Sequence, residues 1–323
     1  MNLSGDHTPQ VNSKLLKGRN FKKKGATIGI VAPANFTVLE KIREGCKQLE
    51  MLGFNIKLGK SCSAKWFSFS GNDDLRANDI NDMFADKSID AILCARGGYG
   101  CIRLLDKINF DIIKKNPKLL IGYSDITSLH IAINKYAELA TIHGPMLTSN
   151  IADNFDNVTK ESFLNMITGQ TDYLSNPPNE KIRILKHGEA TGSIIGGSLS
   201  LVVASLGTEY EINTQNKLFF LEELNEYTYR IDKMLNQLKL AGKLMNCCGI
   251  ILGDFNNCRK EKSDDFSLLD VFSNIFADFD KPVVFNFKSG HCFPMISIPF
   301  GVECYLNALE DKASIKLLES VVY

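Results

Sequence analysis

The chain carries no excess charge of either sign: Lys and Arg number 37, Asp and Glu 37, and the formal net charge is zero. It therefore lacks the electrostatic footprint with which proteins hold nucleic acid or an anionic membrane, and neither is expected as a partner. No run approaches the roughly 18 apolar residues of a membrane span. Residues 1–10 are polar, and no apolar core of a signal sequence follows the basic residues between Lys14 and Lys24. No secretion signal is expected, and a cytoplasmic location is. No C-x-x-C pair occurs among the nine cysteines at 46, 62, 94, 101, 247, 248, 258, 292 and 304. An odd number at irregular spacing argues against a disulfide framework and against zinc, so reduced thiols are expected, with no metal and no cofactor. The glycine fingerprint of a dinucleotide site is missing too: the first β-rich run, residues 26–32, leads into Pro33-Ala34-Asn35, which argues against a dehydrogenase.

What is there is ordinary globular material. Hydrophobic residues make up 44% of 323 residues, enough for two domains of usual size. Short apolar runs at 26–32, 54–58, 89–94 and 119–122 alternate with helical periodicity at 38–52, 73–84, 101–108 and 126–137, the pattern of a mainly parallel sheet covered on both faces. From 150 to 190 the periodicity weakens, and Asn176-Pro177-Pro178-Asn179 breaks the chain. The reading is an α/β protein with a flexible leader at 1–25, an N-terminal α/β domain at 26–165, a linker at 166–190 and a smaller, β-rich α/β domain at 191–323. In the latter, strands are expected at 218–221, 249–253, 282–287, 298–307 and 314–318, with an amphipathic helix at 228–241.

The chemistry centres on Leu119-Leu120-Ile121-Gly122-Tyr123-Ser124-Asp125, an apolar run meeting a Gly-x-Ser turn before Ile126, Leu129 and Ile133 return at helical spacing. Strand, sharp turn and helix would expose the Ser124 hydroxyl beside the first free N–H groups of the helix, as a nucleophile elbow does, although Ile126 stands where a G-x-S-x-G elbow has glycine. Ser124 and Asp125 can equally serve as helix caps. A second loop, Arg96-Gly97-Gly98-Tyr99-Gly100, follows the third strand, and three glycines in four residues let main-chain N–H groups approach a ligand. Such loops at strand carboxyl ends should share one rim. A serine needs a base and a group to hold that base. His143 and His291 both sit in glycine- and proline-flanked turns after strands, and Glu222 and Glu223 stand at a strand end.

Taken together and in order, GIVAPA (29–34), RGGYG (96–100), GYSD (122–125), LFFLEELNEYTYRIDKML (218–235) and GHCFPMISIPFG (290–301) resemble the LD-carboxypeptidase family, serine peptidases of Ser-Glu-His type that include the microcin C immunity peptidases. The resemblance implies Ser124 as nucleophile, Glu222 as acid and His291 as base. It implies an oxyanion hole from the N–H of Asp125 and one from the glycine loop at Gly98; Gly97 and Tyr99 lie alongside, and Arg96, placed beside that loop, is expected to grip a substrate carboxylate. Glu223 and Glu226 stay open as alternatives for the acid, and strand alternation allows only one of Glu222 and Glu223 to face the histidine. The implied substrate is a murein tetrapeptide whose terminal D-alanine follows a diamino acid, and the implied assembly is a homodimer. Tyr229-Arg230-Ile231-Asp232 resembles the murein-recycling branch. The rival readings are a peptide-nucleotide immunity peptidase and a non-enzymatic two-domain binder of small ligands.

Overall fold

A strand buried on both faces must be apolar throughout, and the four-residue runs Ala91–Cys94 and Leu119–Gly122 are buried at every position. In the computed structural model, which describes residues 15–18, 25–309 and 312–323, these runs are central strands of the first of two sheets. The expected leader, with Lys22, Lys23 and Lys24, falls mostly outside the described residues.

Strands β1 (Thr27–Val31), β2 (Asn55–Leu58), β3 (Ala91–Cys94), β4 (Leu119–Gly122) and β5 (Thr141–His143) lie parallel in the order β2-β1-β3-β4-β5. The order reverses between β1 and β3, the place in an open parallel sheet where loops part and leave a crevice. The helix Leu39–Met51 buries Ile42, Cys46 and Leu49. The helix Asp73–Ala85 is capped by Asn72, whose side chain accepts the Leu75 N–H, one residue before the expected Asp73-Asp74. Residues Cys101–Lys107 form a 3-10 turn, not an α-helix.

The second sheet is built from β6 (Tyr173–Leu174), β7 (Arg183–Lys186), β8 (Gly188–Ser198), β9 (Leu218–Leu224), β10 (Gly249–Asn256) and β11 (Val283–Phe285), and from the two C-terminal strands Glu303–Ala308 and Ser314–Leu317. Its parallel centre is β8-β9-β10-β11. The amphipathic helix Thr228–Leu240 covers it with Ile231, Leu235 and Leu238. Further elements depart from the sequence reading: the stretch 166–190, expected as a linker, carries β6, β7 and the start of β8, all paired in the second sheet. The weakly periodic stretch contains a helix, Asn157–Ile167, capped by Asp156 and burying Thr159, Phe163, Met166 and Ile167. The strand expected over 298–307 is two strands separated at Gly301, whose φ is +87°. The first, β12 (Ile298–Phe300), joins the first sheet antiparallel to β5, and the second, β13 (Glu303–Ala308), pairs with β8. One turn thus stitches the two sheets together. Among the described residues no helix is long and apolar enough to cross a membrane.

Candidate active site

The end of β4 is where local geometry departs from comfort. Ser124 has φ +62°, the left-handed region that a side chain enters at a cost of about 1–3 kcal/mol, and it opens a 3-10 turn before the helix Thr127–Ala132. That conformation lifts the hydroxyl out of the sheet. Opposite it lies the glycine loop: a Cβ on Gly97 would stand 2.9 Å from Ser124 Oγ and 3.4 Å from the Asp125 nitrogen, so only glycine lets the two main chains face each other. Gly98 points elsewhere at its Cα, against the side chain of Asn35, and Tyr99 donates its N–H to Asn35 Oδ1 at 3.2 Å. The half-exposed Tyr99 ring leans on Phe69, 5.7 Å between centroids. Arg96 donates through Nη1 to the Phe36 carbonyl at 3.2 Å, while its buried Nε has no hydrogen-bond partner among the described residues.

The second half of the site comes from β9. Alternation along the strand sends Glu222 and Glu223 to opposite faces. Fully buried Glu222 accepts from His291 Nδ1 at 2.7 Å through Oε2, whereas Glu223 accepts the Ser200 and Leu224 N–H groups and Glu226 pairs with Arg230 on the surface. Gly290, φ +113°, is required beside this pair, because a Cβ there would stand 2.6 Å from Glu222 Oε2. The loop that carries His291 is tied to β10: the Asn256 side chain donates to the His291 carbonyl, and Asp254 N–H donates to Ser289 O at 3.0 Å. The imidazole stands edge-on to the Tyr123 ring at 4.9 Å, so the histidine of the back half packs on the residue next to Ser124. The halves also meet where Ser198, the β8 partner of Glu222, donates its N–H to Thr127 Oγ1 at 3.0 Å.

Electrostatics follow from burial and pairing. Burial pulls the His291 imidazole down, but the charge of Glu222 and the hydrogen bond to it, helped by Glu223 and Asp254, outweigh that and hold its pKa above the ordinary value. Asp125 is raised by burial, against its hydrogen bonds to Cys101 and the nearby Arg76. Of the other described histidines, His143 is fully buried with neither ring nitrogen paired among the described residues, His130 bonds the Gly122 carbonyl through Nε2 at 2.8 Å, and His187 Nδ1 lies 3.1 Å from Ala308 O. His7 lies outside the described residues. Sequence reasoning did not assign roles to Asn35, Arg76, Tyr123 or Asn256; their roles arise from contacts distant along the chain, and of the four only Tyr123, in the elbow, sat in a loop already expected at the rim.

A serine in a strained strand-to-helix turn faces a glycine loop, and its neighbour Tyr123 packs on a carboxylate-imidazole pair carried by the second sheet, an arrangement suited to a serine-type hydrolase. The chain belongs to the LD-carboxypeptidase family: that family's N-terminal domain matches residues 28–144 and its C-terminal domain residues 191–306. It is accordingly a serine-type carboxypeptidase. A relative from Bacillus subtilis named "Probable murein peptide carboxypeptidase" is 40% identical, over 91% of this chain and 92% of its own. The "Murein tetrapeptide carboxypeptidase" of Pseudomonas aeruginosa is 27% identical over 87% of this chain and 92% of its own. Among solved structures, the microcin C7 self-immunity protein MccF, in an inactive mutant without ligand, superposes with a TM-score of 0.87 over 95% of this chain and all of its own; at 24% identity that likeness speaks to the fold alone.

Proposed function

We propose that this enzyme removes the terminal D-alanine of murein tetrapeptides by hydrolysing its bond to the L-centre of the preceding diamino acid. The observation that carries the proposal is the Glu222–His291 hydrogen bond of 2.7 Å on a ring packed against Tyr123, the neighbour of Ser124. In this reading His291 Nε2 takes the proton of the Ser124 hydroxyl as its oxygen attacks the carbonyl, and Glu222 fixes the tautomer and stabilises the imidazolium. The oxyanion is received by the Asp125 N–H and by an N–H of the Gly97-Gly98 loop, each donor contributing about 3 kcal/mol. His291 then protonates the leaving nitrogen of D-alanine. Water, deprotonated by the same ring, cleaves the acyl-enzyme and restores Ser124. The Arg96 guanidinium, which has no carboxylate partner among the described residues, grips a substrate carboxylate.

Both sheets supply part of this centre, with the serine from the end of β4 in the first sheet, the acid from β9 in the second and the base from the loop between β11 and β12. The assignment to murein peptides is supported by the names and identities of the relatives from Bacillus and Pseudomonas. Action in the cytoplasm on recycled cell-wall peptides agrees with nine unpaired cysteines. A homodimer is the assembly the family resemblance implies. Purified Ser124→Ala protein incubated with a defined murein tetrapeptide should fold normally and release no D-alanine above background. Release at the wild-type rate would overturn the scheme.

A further inference from the structure

The glycine loop presents a physical difficulty. Gly98 and Gly100 both have positive φ, +114° and +136°, and a segment with three glycines in four residues is free to take many shapes. Yet an oxyanion pocket works only if its donors are held in place before the charge develops, and a displacement of about 1 Å costs on the order of a hundredfold in rate. Something must hold the loop.

The Gly100–Cys101 peptide is gripped from both sides. Its carbonyl accepts from Arg76 Nη1 at 3.2 Å, and its N–H donates to Asp125 Oδ2 at 2.8 Å. Both side chains are buried, Arg76 at 0% and Asp125 at 1% exposure. Arg76 is itself fixed: it donates to the carbonyls of Pro33 and Gly71, pairs with Asp73 and lies over the Phe69 ring at 4.8 Å. Asp73 also takes Arg103 of the turn that follows the loop, 2.7 Å from Oδ2. Nearer the serine, Asn35 accepts the Tyr99 N–H at 3.2 Å and fills the space beside Gly98, while Ser70 Oγ donates to the Asn35 carbonyl at 3.1 Å. Asp125 belongs to the elbow, so its carboxylate ties the elbow directly to the far end of the loop.

We propose that Asp125, Arg76 and Asn35 are positioning residues that clamp the glycine loop at a set distance from Ser124 and so build the oxyanion pocket. This rests on the reading of Ser124 as nucleophile. The Asp125 side chain thereby has a role separate from its main-chain N–H, and Arg76 acts without touching substrate.

The test compares Asp125→Ala, Asp125→Asn and Asn35→Ala in the purified full-length enzyme. Tetrapeptide kcat and KM, the pH–rate profile, the thermal midpoint and the rate at which a fluorophosphonate labels Ser124 are read for each; the phosphoryl oxygen of the label must enter the same pocket as the oxyanion. Asp125→Ala should lower kcat and the labelling rate in parallel by about a hundredfold and Asn35→Ala by about tenfold. KM and the pH midpoint should stay near wild type. Asp125→Asn should recover at least about tenfold of the loss, since its amide oxygen still accepts the Cys101 N–H. Wild-type kcat in folded Asp125→Ala, equal losses in the Asn and Ala variants, or a shifted pH midpoint with unchanged labelling would overturn the clamp. If Asp125→Ala does not fold, Asn35→Ala decides the matter, because it leaves the buried pair intact. Failure of wild-type enzyme to label at Ser124 would defeat the nucleophile assignment instead.

Discussion

His143 and His291 stand in similar sequence settings, each after a strand and each beside glycine and proline, and both rings contact Tyr123, at 5.9 Å and 4.9 Å between centroids. Their surroundings are opposite. His143 is the last residue of β5, has no exposed surface, and sits among Tyr123, Phe220 and Phe300 with both nitrogens unpaired among the described residues. Burial, with the neighbouring His130 and His291, holds it well below the ordinary histidine pKa. His291 lies on a loop, keeps 17% of its side chain exposed and has a carboxylate on Nδ1, so its pKa moves upward. What separates the ring proposed as the base from the core ring is the carboxylate and a path to solvent, not the flanking turn. The two rings therefore also answer pH with opposite sign. His291 favours the folded state below the unfolded histidine pKa, about 6.5, and that contribution is lost as pH rises through its raised folded value. His143 is held neutral, and its contribution is lost as pH falls below about 6.5.

The contrast breaks most sharply on the ring itself. His291→Ala should cost about 10⁴-fold or more in kcat for tetrapeptide hydrolysis. A loss of less than about tenfold, measured on purified protein at saturating substrate, would leave His291 no more catalytic than His143.

Removing the partner while leaving the ring is the next step. Glu222→Gln should lower kcat by about 10³- to 10⁴-fold, as expected when the imidazole tautomer is no longer fixed. It should also move the ascending limb of the pH–rate profile toward lower pH. His291 must be neutral to act as a base, activity rises as it loses its proton, and the carboxylate is what holds that proton on. An unmoved midpoint would assign the limb to another group. Gly290→Ala should give a smaller loss, about ten- to a hundredfold, because the new methyl is directed onto Glu222 Oε2 from a backbone with φ +113°. A variant with wild-type kcat would show that the pair tolerates displacement.

How much of this was readable in the chain differs from one half of the site to the other. The Gly122-Tyr123-Ser124 turn was legible because a buried strand and a periodic helix flank it, and both signals are local. Strand alternation limited Glu222 and Glu223 to one partner for the histidine, and the hydrogen bond selects Glu222. The clamp was not legible. Asn35 and Tyr99 are 64 positions apart, Arg76 and Gly100 24, and each contact depends on where the crossover helices return the chain. The helix Asn157–Ile167 escaped because its apolar face is narrow and interrupted by polar residues. The strand change at Gly301 was hidden since Ile298–Phe300 and Glu303–Ala308 both read as β, and only pairing assigns them to different sheets.

The smallest effect tests the core histidine. His143→Leu replaces a buried ring whose nitrogens have no partners among the described residues with an apolar side chain of similar volume, so stability at pH 7 should change by no more than about 1 kcal/mol. Activity should remain within about fivefold, since the Glu222–His291 pair is untouched. The informative difference lies at low pH. In the wild type the unfolded chain binds a proton at this residue below about pH 6.5 while the folded chain refuses it, which favours unfolding; leucine has no such term. Urea midpoints measured at pH 7 and at pH 5 should therefore fall less in His143→Leu than in the wild type. An equal fall would mean that the imidazole takes up its proton inside the fold, and the contrast between the two rings would then rest on the carboxylate alone.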